Sequence, residues 1–366
     1  MNQTTMTAPA PAIPVRRGVL RRWPEWAPWA ATLWALGYGL TALGWTLTGV
    51  GYPIDPADPN SAMALLGDVP ADVGAPLFAA VALAAAGTGA VMARDRRGAR
   101  APRWWRRFAV GFGGTLAAVL LVVVPTTRLL ALVGYLPVIV FRAPFDAEIR
   151  ADVAAALGVD HVHQVVALVG GFLWAAATVA YARRTAGSCA RCGRSDRTSR
   201  VATVRRWGRV AVYVAAAIPA LYAATRWVWV AGVPMGMDEQ QYAEARAGGS
   251  LWAGAWLASF ALVGTVLTLG LVQGWGEVFP RWVPVLRGRR VPVGLAVAPA
   301  SVVAVLATSG GLGLIKVGLA EDLIISAEWA AVGPALLWPL WGVTLGWGTL
   351  AYWLRRRGRC ADCGAR

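Results

Sequence analysis

The chain has 366 residues, of which 57% are hydrophobic and only 15% are charged, and its mean hydropathy is +0.52. This length would suggest two or more soluble domains, but long apolar stretches with few charges are typical of membrane-spanning helices, which need about 20 residues each. The composition therefore excludes an ordinary soluble protein. It predicts an all-α integral membrane protein embedded in a lipid bilayer.

The first 25 residues are polar and rich in proline, and they carry four arginines. They lack the ordered basic, apolar and small-residue regions of a cleaved signal peptide. We predict a disordered N-terminal tail over residues 1–15, and we expect the first membrane span to act as an uncleaved signal anchor.

Eight apolar segments follow, and each is long enough to cross a bilayer as a helix. They cover residues 26–50, 73–93, 107–127, 162–182, 209–232, 251–274, 291–314 and 329–353. Some contain prolines, which membrane helices tolerate because neighbouring helices satisfy the freed carbonyl groups. We therefore predict eight transmembrane helices.

The arginines are concentrated on one side of this predicted bundle. The N-terminal tail and the connections after the second, fourth, sixth and eighth spans hold 29 of the 35 basic residues and 5 of the 19 acidic ones. Basic residues accumulate in the cytoplasmic loops of membrane proteins. We therefore predict a plasma-membrane protein with both termini in the cytoplasm. Because topology explains the arginines, the net charge of +16 does not indicate a nucleic-acid partner.

A cysteine motif occurs twice: residues 180–193 read AYARRTAGSCARCG and residues 351–364 read AYWLRRRGRCADCG, with eight of fourteen positions identical. The first and fifth spans also share Arg-Trp, Tyr, Thr and Trp at a shift of 184 residues. The matched residues are Arg22, Trp23, Tyr38, Thr41 and Trp45, and Arg206, Trp207, Tyr222, Thr225 and Trp229. Recurrent interfacial Trp and Tyr would explain single matches, but not the cysteine motif.

These matches indicate two tandem four-helix repeats, over residues 16–193 and 200–366, joined by a cytosolic linker at 194–199. Four is an even number, so both repeats would share one orientation in the membrane. The repeats differ after Arg128, where the first has an apolar run over 129–141 that is too short to span. This run predicts a re-entrant or interfacial segment in an outward-facing insertion.

The four cysteines, Cys189, Cys192, Cys360 and Cys363, form two Cys-x-x-Cys-Gly turns. Two thiolates at this spacing can bind one ion, and two such turns complete a tetrahedral zinc shell. The turns are too far apart in sequence for a zinc ribbon, but the predicted topology brings both to one membrane face. Neighbouring arginines would favour the thiolate form that a metal needs. We predict a structural zinc ion that joins the two halves.

The sequence leaves other interpretations of the cysteines open. A Cys-x-x-Cys pair also serves dithiol redox chemistry, although no βαβ thioredoxin pattern surrounds these pairs. The pairs also fit separate metal sites, a zinc ion between the protomers of a homodimer, or reduced thiols without a function. A reducing cytosol disfavours a disulfide within each pair.

A second candidate site lies at the predicted outer mouth of the fourth span. The only histidines, His161 and His163, follow Asp160 there, and Arg128 lies just past the third span. Residues two positions apart diverge on a helix, so polar residues at a helix entry are the simpler interpretation than a metal or proton-relay site. The first outer loop carries Asp55, Asp58, Asp68 and Asp72, which we interpret as solvated.

The arginine-rich composition, the tryptophan-rich spans and the terminal Cys-x-x-Cys-Gly resemble uncharacterised multi-pass membrane proteins of high-GC actinobacteria. The resemblance covers the whole chain and carries no site residue over. Three functional hypotheses follow. The first is a non-enzymatic, transporter-like or partner-binding bundle with a zinc staple and an unidentified protein partner or small-molecule substrate. The second is a cytosol-facing metal or redox sensor or membrane regulator. The third is an intramembrane enzyme that uses Asp160, His161 and Arg128.

Overall fold

The computed structural model describes residues 19–54, 56–95, 101–156, 158–194, 199–320, 329–360 and 362–365. Within these ranges the regular structure is helical, with one isolated antiparallel bridge between Val278 and Arg290 and no strand. The all-α prediction is confirmed for this part of the chain. The predicted tail at 1–15, Asp55 and most of the predicted linker at 194–199 lie outside the described residues.

The first half contains four long helices and two shorter ones. The long helices are α1 (Trp23–Thr48), α2 (Ala71–Arg94), α3 (Arg103–Ala118, which continues as a π-helical turn over Val119–Val123) and α6 (Val159–Thr185). The shorter helices, α4 (Thr127–Arg142) and α5 (Ala147–Ala156), lie between α3 and α6. The apolar run at 129–141 is therefore a helix, and with 16 residues α4 is too short to cross a bilayer.

The second half has the same order of long helices. They are α7 (Ser199–Val230), α9 (Ser250–Leu269), α10 (Val293–Ala320) and α12 (Trp338–Arg356), with the short helices α8 (Glu239–Ala247) and α11 (Trp329–Leu336) between them. The predicted eighth span, 329–353, is thus two helices that separate at Leu337. α12 begins at Trp338, and Pro339 lies in its first turn, where the missing backbone N–H of a proline leaves no hydrogen bond unmade.

Six of the described helices are long and apolar enough to cross a membrane. They are Ala71–Arg94, Arg103–Val123, Val159–Thr185, Thr203–Val230, Ser250–Leu269 and Val293–Ala320. The other two long helices, α1 and α12, contain five and four tryptophans, respectively. Trp and Tyr have low hydropathy values although they favour membrane interfaces. The tryptophans therefore lower the mean hydropathy of α1 and α12 relative to that of the six helices.

The long helices pack in the same pattern in both halves. In the first, α1 contacts α2 and α6, and α6 contacts α3; in the second, α7 contacts α9 and α12, and α12 contacts α10. Small residues line these contacts: Ala27, Ala31 and Ala35 of α1 are fully buried. Such small residues let helix backbones approach closely. Close packing of this kind holds helices together in a bilayer, where the hydrophobic effect does not drive their association. The larger core residues, Trp174 and Tyr352, come from the last long helix of each half.

One end of the bundle, which we call the cysteine end, gathers the start of α1, the ends of α2 and α6, the start of α7 and the end of α12. Its hydrogen bonds run from Arg184 to the Pro24 carbonyl, Tyr181 to Asp95, Trp347 to the Val204 carbonyl and Tyr352 to the Gly276 carbonyl. The cysteines follow α6 and α12 directly, so both cysteine turns lie at this end.

The two halves also meet near the opposite end, where α10 packs against α4 and the π-helical turn. Ser309 of α10 donates a hydrogen bond to the Pro125 carbonyl, and Thr127 donates to the Gly310 carbonyl at 3.2 Å. Lys316 forms an ion pair with Asp68 at 2.6 Å. The halves are therefore in contact at both ends, and at the cysteine end the contact involves the cysteines.

Candidate metal centre

Each Cys-x-x-Cys-Gly segment folds as a tight turn that is closed by a backbone hydrogen bond. The Gly193 N–H donates to the Cys189 carbonyl at 2.8 Å, and the Gly364 N–H donates to the Cys360 carbonyl at 2.9 Å. Both glycines have a left-handed backbone, with φ of +68° and +71°, which other residues rarely adopt. The glycine after each second cysteine is therefore required by the turn.

The two turns bring all four sulfur atoms together. The Sγ atoms of Cys189 and Cys360 are 3.9 Å apart, those of Cys192 and Cys363 are 3.5 Å apart, and all four lie within 4.8 Å of one another. Four thiolates around one zinc ion at about 2.3 Å would be about 3.8 Å apart. The sulfur positions thus fit a tetrahedral metal shell made of two ligands from each half.

Both of the sulfur–sulfur contacts with hydrogen-bonding geometry join one half to the other. Cys192 and Cys360 are buried, Cys189 is half-buried and Cys363 is exposed. An oxidant would therefore meet Cys363 first, and the sulfur nearest to it by hydrogen-bonding contact belongs to Cys192 of the other half. A disulfide formed from this arrangement would link the halves, as the metal would.

Arginines fix the two turns against each other through backbone carbonyls. Arg194, after the first turn, donates to the carbonyls of Gly358 and Ala365 at 3.2 and 2.9 Å. Arg357, before the second turn, donates to the Cys192 carbonyl at 3.0 Å. These reciprocal hydrogen bonds hold the sulfur cluster in place from both sides.

Backbone N–H groups lower the pKa of one thiol, that of Cys360. Burial acts to raise the pKa of Cys360, but hydrogen bonds from the backbone of Cys363 and Asp362, with those of neighbouring thiols, lower it to about 6. For Cys363, a backbone hydrogen bond with Ala365 acts to lower the pKa, but the hydrogen bonds with the other thiols raise it to about 11. Clustered thiols resist successive ionisation unless a cation compensates their charge. The low pKa of Cys360 thus comes from peptide N–H groups and neighbouring thiols rather than from the arginines that the sequence suggests.

The affinity for zinc is expected to fall as the pH is lowered. Each ligand must be a thiolate, so protons compete with the metal. In the metal-free centre Cys360 takes up its proton as the pH falls through about 6, whereas Cys363 is protonated below about 11. The affinity for zinc should therefore fall as the pH falls, and fall more steeply below about pH 6, where Cys360 is protonated as well. A chelator competition titration at several pH values measures this, and an affinity that does not change with pH would contradict four-thiolate ligation.

The second candidate site, at the opposite end, is an ion-pair cluster. Arg128 pairs with Asp160 at 2.9 Å and with Asp58 at 3.0 Å, and His161 Nδ1 lies 3.2 Å from the Asp160 carboxylate. The sequence suggested that Asp58 belongs to a solvated loop, but its carboxylate is paired. The ion pair joins the first loop to the starts of α4 and α6. The sequence pattern grouped Arg128 with Asp160 and the histidines, but it carried no signal that Asp58 joins them.

The two histidines diverge, as their spacing predicts. His163 is buried, its Nε2 lies 2.8 Å from the Tyr38 hydroxyl, and its ring packs against Tyr38 and Trp45. The corresponding Tyr222 and Trp229 in the second half enclose Arg226 instead, with the guanidinium carbon 4.4 and 4.3 Å from the ring centroids. A Tyr and a Trp seven residues apart thus hold a nitrogen-bearing side chain in each half.

A cavity of about 60 Å³ lies among Asp58, Arg128, Asp160, His163 and Gln164. This volume admits water-sized molecules rather than an organic substrate. Gln164 faces it and accepts hydrogen bonds from the Thr126 backbone and hydroxyl at 3.0 and 3.1 Å. The convergence of Arg128 with Asp160 is thus observed, and its geometry is that of a small polar cluster at the helix ends.

Replacing Arg128 with Gln is expected to destabilise the fold by about 1–2 kcal/mol, because Asp58 and Asp160 lose their partner. The three side chains are 34%, 35% and 29% exposed, so the cost is lower than for a fully buried pair. An Arg142→Gln control removes an arginine that is 65% exposed and paired with Asp146, and should cost less than about 0.5 kcal/mol. Unfolding titrations in mixed detergent measure both; equal effects would show that the cluster contributes no stability.

No protein family, curated protein or solved structure matches this chain. What can be concluded about its function therefore comes from the residues and their geometry.

Proposed function

We propose that this chain is a non-enzymatic plasma-membrane protein of eight transmembrane helices, arranged as two tandem four-helix repeats that a zinc ion joins on the cytoplasmic side. Its role would be that of a transporter-like or partner-binding bundle. The observation that carries the proposal is the group of four sulfur atoms, two from each half, within 4.8 Å of one another. A centre built this way ties the end of α6 to the end of α12.

The proposal of eight spans adds α1 and α12 to the six apolar helices. At 1.5 Å per residue, the 26 residues of α1 and the 19 of α12 extend about 39 and 28 Å, close to or beyond the hydrocarbon thickness of about 30 Å. Each packs along helices that are apolar enough to span. If α1 and α12 did not cross the bilayer, part of the surface that they cover on these neighbouring helices would be left without a helix packed against it.

Duplication is supported by three independent correspondences. The long helices of the halves pack in one pattern, the cysteine turns share their hydrogen bonds and glycine conformation, and a Tyr–Trp pair encloses a side chain in each half. A chance recurrence of interfacial aromatic residues would account for the last of these alone.

The orientation is supported by charge. The helix ends gathered at the cysteine end are those that adjoin the arginine-rich segments of the sequence, and basic residues favour the cytoplasmic side. In that reducing compartment the thiols would be available to a metal. A membrane-impermeant maleimide applied after zinc chelation should therefore label Cys363 in inverted vesicles and not in intact cells. The opposite pattern would overturn the orientation.

A four-thiolate tetrahedral site accepts zinc or iron. We propose zinc because the centre lies outside the helices and no part of the proposed role uses electron transfer. Metal analysis of the purified protein decides between them, since a four-sulfur iron centre would be coloured and zinc would not.

A metal or redox sensor is the second candidate function. The exposed Cys363 and its 3.5 Å separation from Cys192 favour it, because oxidation there would release the metal and link the halves covalently. Mild oxidation of the zinc-loaded protein should then form a reversible Cys192–Cys363 disulfide with release of one zinc. If the protein keeps its zinc under these conditions, the site is structural and the sensor function is refuted.

A protease cleavage site inserted in the linker at 194–199 tests whether a shared zinc ion joins the two halves. After cleavage of the folded, zinc-loaded protein, the two halves should elute together from a sizing column. Chelation should then lower the unfolding temperature more in the cleaved protein than in the intact one, because the intact chain keeps a covalent link. An equal and small response to chelation in both forms would refute the staple.

A further inference from the structure

A large apolar groove opens in the second half beside the cysteine end. Its volume is about 800 Å³, within the range of about 300–1,000 Å³ of small-molecule sites. One wall is the last two turns of α9, the other is the first three turns of α10, and the loop over residues 270–292 closes one end. Trp341 and Leu345 of α12 form its floor.

The groove has the depth of one membrane leaflet. It extends from Pro280 in the loop to Val303, which lies ten residues after Val293, the start of α10. Ten residues of α-helix rise about 15 Å, and half of a hydrocarbon core of about 30 Å is the same length. Leu267 and Leu295 on its rim are 63% and 58% exposed, so the groove opens sideways toward the bilayer.

The loop is built as a rigid wall of the groove. Arg355 donates to the Leu271 carbonyl and Arg356 donates to the Val291 carbonyl, each at 2.7 Å, so the end of α12 holds both ends of the loop. Between them, Glu277 forms ion pairs with both arginines. The groove is therefore formed before anything binds in it.

The loop that closes one end of the groove is positively charged. Arg281, Arg287, Arg289 and Arg290 lie in the loop among lining residues, and all four are exposed. Within the described part of the chain, none of them forms a side-chain ion pair with a carboxylate. The neighbouring Trp282 is 81% exposed, as expected of a ring at a membrane interface.

We propose that this groove binds the acyl chain of one anionic phospholipid, whose phosphate is held by the loop arginines. This inference rests on the proposed placement of the cysteine end at the cytoplasmic face. An apolar slot of leaflet depth takes an acyl chain, and basic residues at the cytoplasmic surface bind anionic headgroups. A zwitterionic lipid also carries a phosphate, but its cationic headgroup cancels that charge, so the four arginines favour an anionic lipid.

Native mass spectrometry of the full, zinc-loaded chain tests the proposal with dioleoyl phosphatidylglycerol as the probe and dioleoyl phosphatidylcholine as its zwitterionic control. The chain should retain one phosphatidylglycerol in preference to phosphatidylcholine. Arg289→Gln and Arg290→Gln should each weaken retention about five-fold. The matched controls Arg103→Gln and Arg107→Gln, at the start of α3 at the same end of the bundle, should leave it unchanged.

A second pair of variants tests the apolar slot. Ala300→Trp fills the groove and should abolish retention, whereas Ala298→Trp, on the exposed side of the same helix, should not. Equal retention of both lipids, equal effects of the two arginine pairs, or a chain dimer lost on Ala300→Trp would overturn the proposal. The same spectra report bound zinc by mass. A chain with zinc but no lipid preference refutes the lipid site alone, whereas a chain without zinc also contradicts the proposed function.

Discussion

A Cys360→Ser substitution is expected to reduce bound zinc from one ion per chain to a trace and to lower the unfolding temperature by about 5–10 °C. A serine hydroxyl is not a thiolate ligand, and three remaining ligands leave the shell open. A ligand that binds only the folded state at 1,000 times its Kd contributes about 4 kcal/mol. In a chain of this size, each kcal/mol corresponds to about 2 °C. Metal analysis with thermal unfolding measures both quantities.

Cys192→Ser should have the same effect, because it removes a ligand contributed by the other half. Ser188→Ala is the matched control: it changes the residue before Cys189 without removing a sulfur atom, and should keep both zinc and stability. The shared centre would be refuted if Cys360→Ser kept a full equivalent of zinc. It would also be refuted if zinc were lost only on substitution of the cysteines of one half.

Gly342→Ala is expected to destabilise the protein by about 2–3 kcal/mol, because α12 and α10 are in close contact there. A Cβ at Gly342 would overlap the Thr308 hydroxyl and the Ala304 carbonyl oxygen. The carbonyl belongs to the α10 backbone, so relief requires the two helices to move apart. Close packing of this kind is the main cohesion between helices in a membrane. Unfolding titrations in mixed detergent measure the change.

Gly346→Ala, one turn further along α12, is the matched control. A Cβ at Gly346 would meet only the Ala304 Cβ, at 3.8 Å, which is an ordinary contact. Replacing a helical glycine with alanine then stabilises by about 0.5–1 kcal/mol. The two substitutions should therefore have opposite signs. Destabilisation of the same size at both positions would contradict the packing of α12 on α10.

The sequence predicted the long helices and the cluster of four cysteines, because the first follow from the length of the apolar segments and the second from a motif that occurs twice. Apolar length predicted most of the long helices to within about five residues of their observed ends, but α7 begins ten residues earlier than predicted, at Ser199, and α10 extends six residues further, to Ala320. The predicted duplication and the predicted even number of spans led to the expectation that Cys192 and Cys363 lie on one face, and their sulfur atoms are 3.5 Å apart. The hydrophobic pattern does not predict the break between α11 and α12 at Leu337. A proline inside an apolar segment is compatible either with one kinked helix or with two helices.

Features made by distant side chains could not be read from the sequence. The ion pair of Arg128 with Asp58 joins residues that no motif connects, and the reciprocal hydrogen bonds of Arg194 and Arg357 end on carbonyls that any residue supplies. The apolar groove was missed for the same reason. Its walls are ordinary span residues, and only the separation of α9 from α10 turns them into a cavity.

X-ray absorption at the zinc edge of the purified, full-length protein tests the central claim most directly. We predict one zinc per chain with four sulfur neighbours at about 2.3 Å and no nitrogen or oxygen neighbours. In Cys192→Ser or Cys363→Ser this signal should disappear, since each half supplies two of the four ligands. A zinc-free protein, or a zinc with two sulfur ligands completed by nitrogen or oxygen, would contradict a metal centre shared by the two halves.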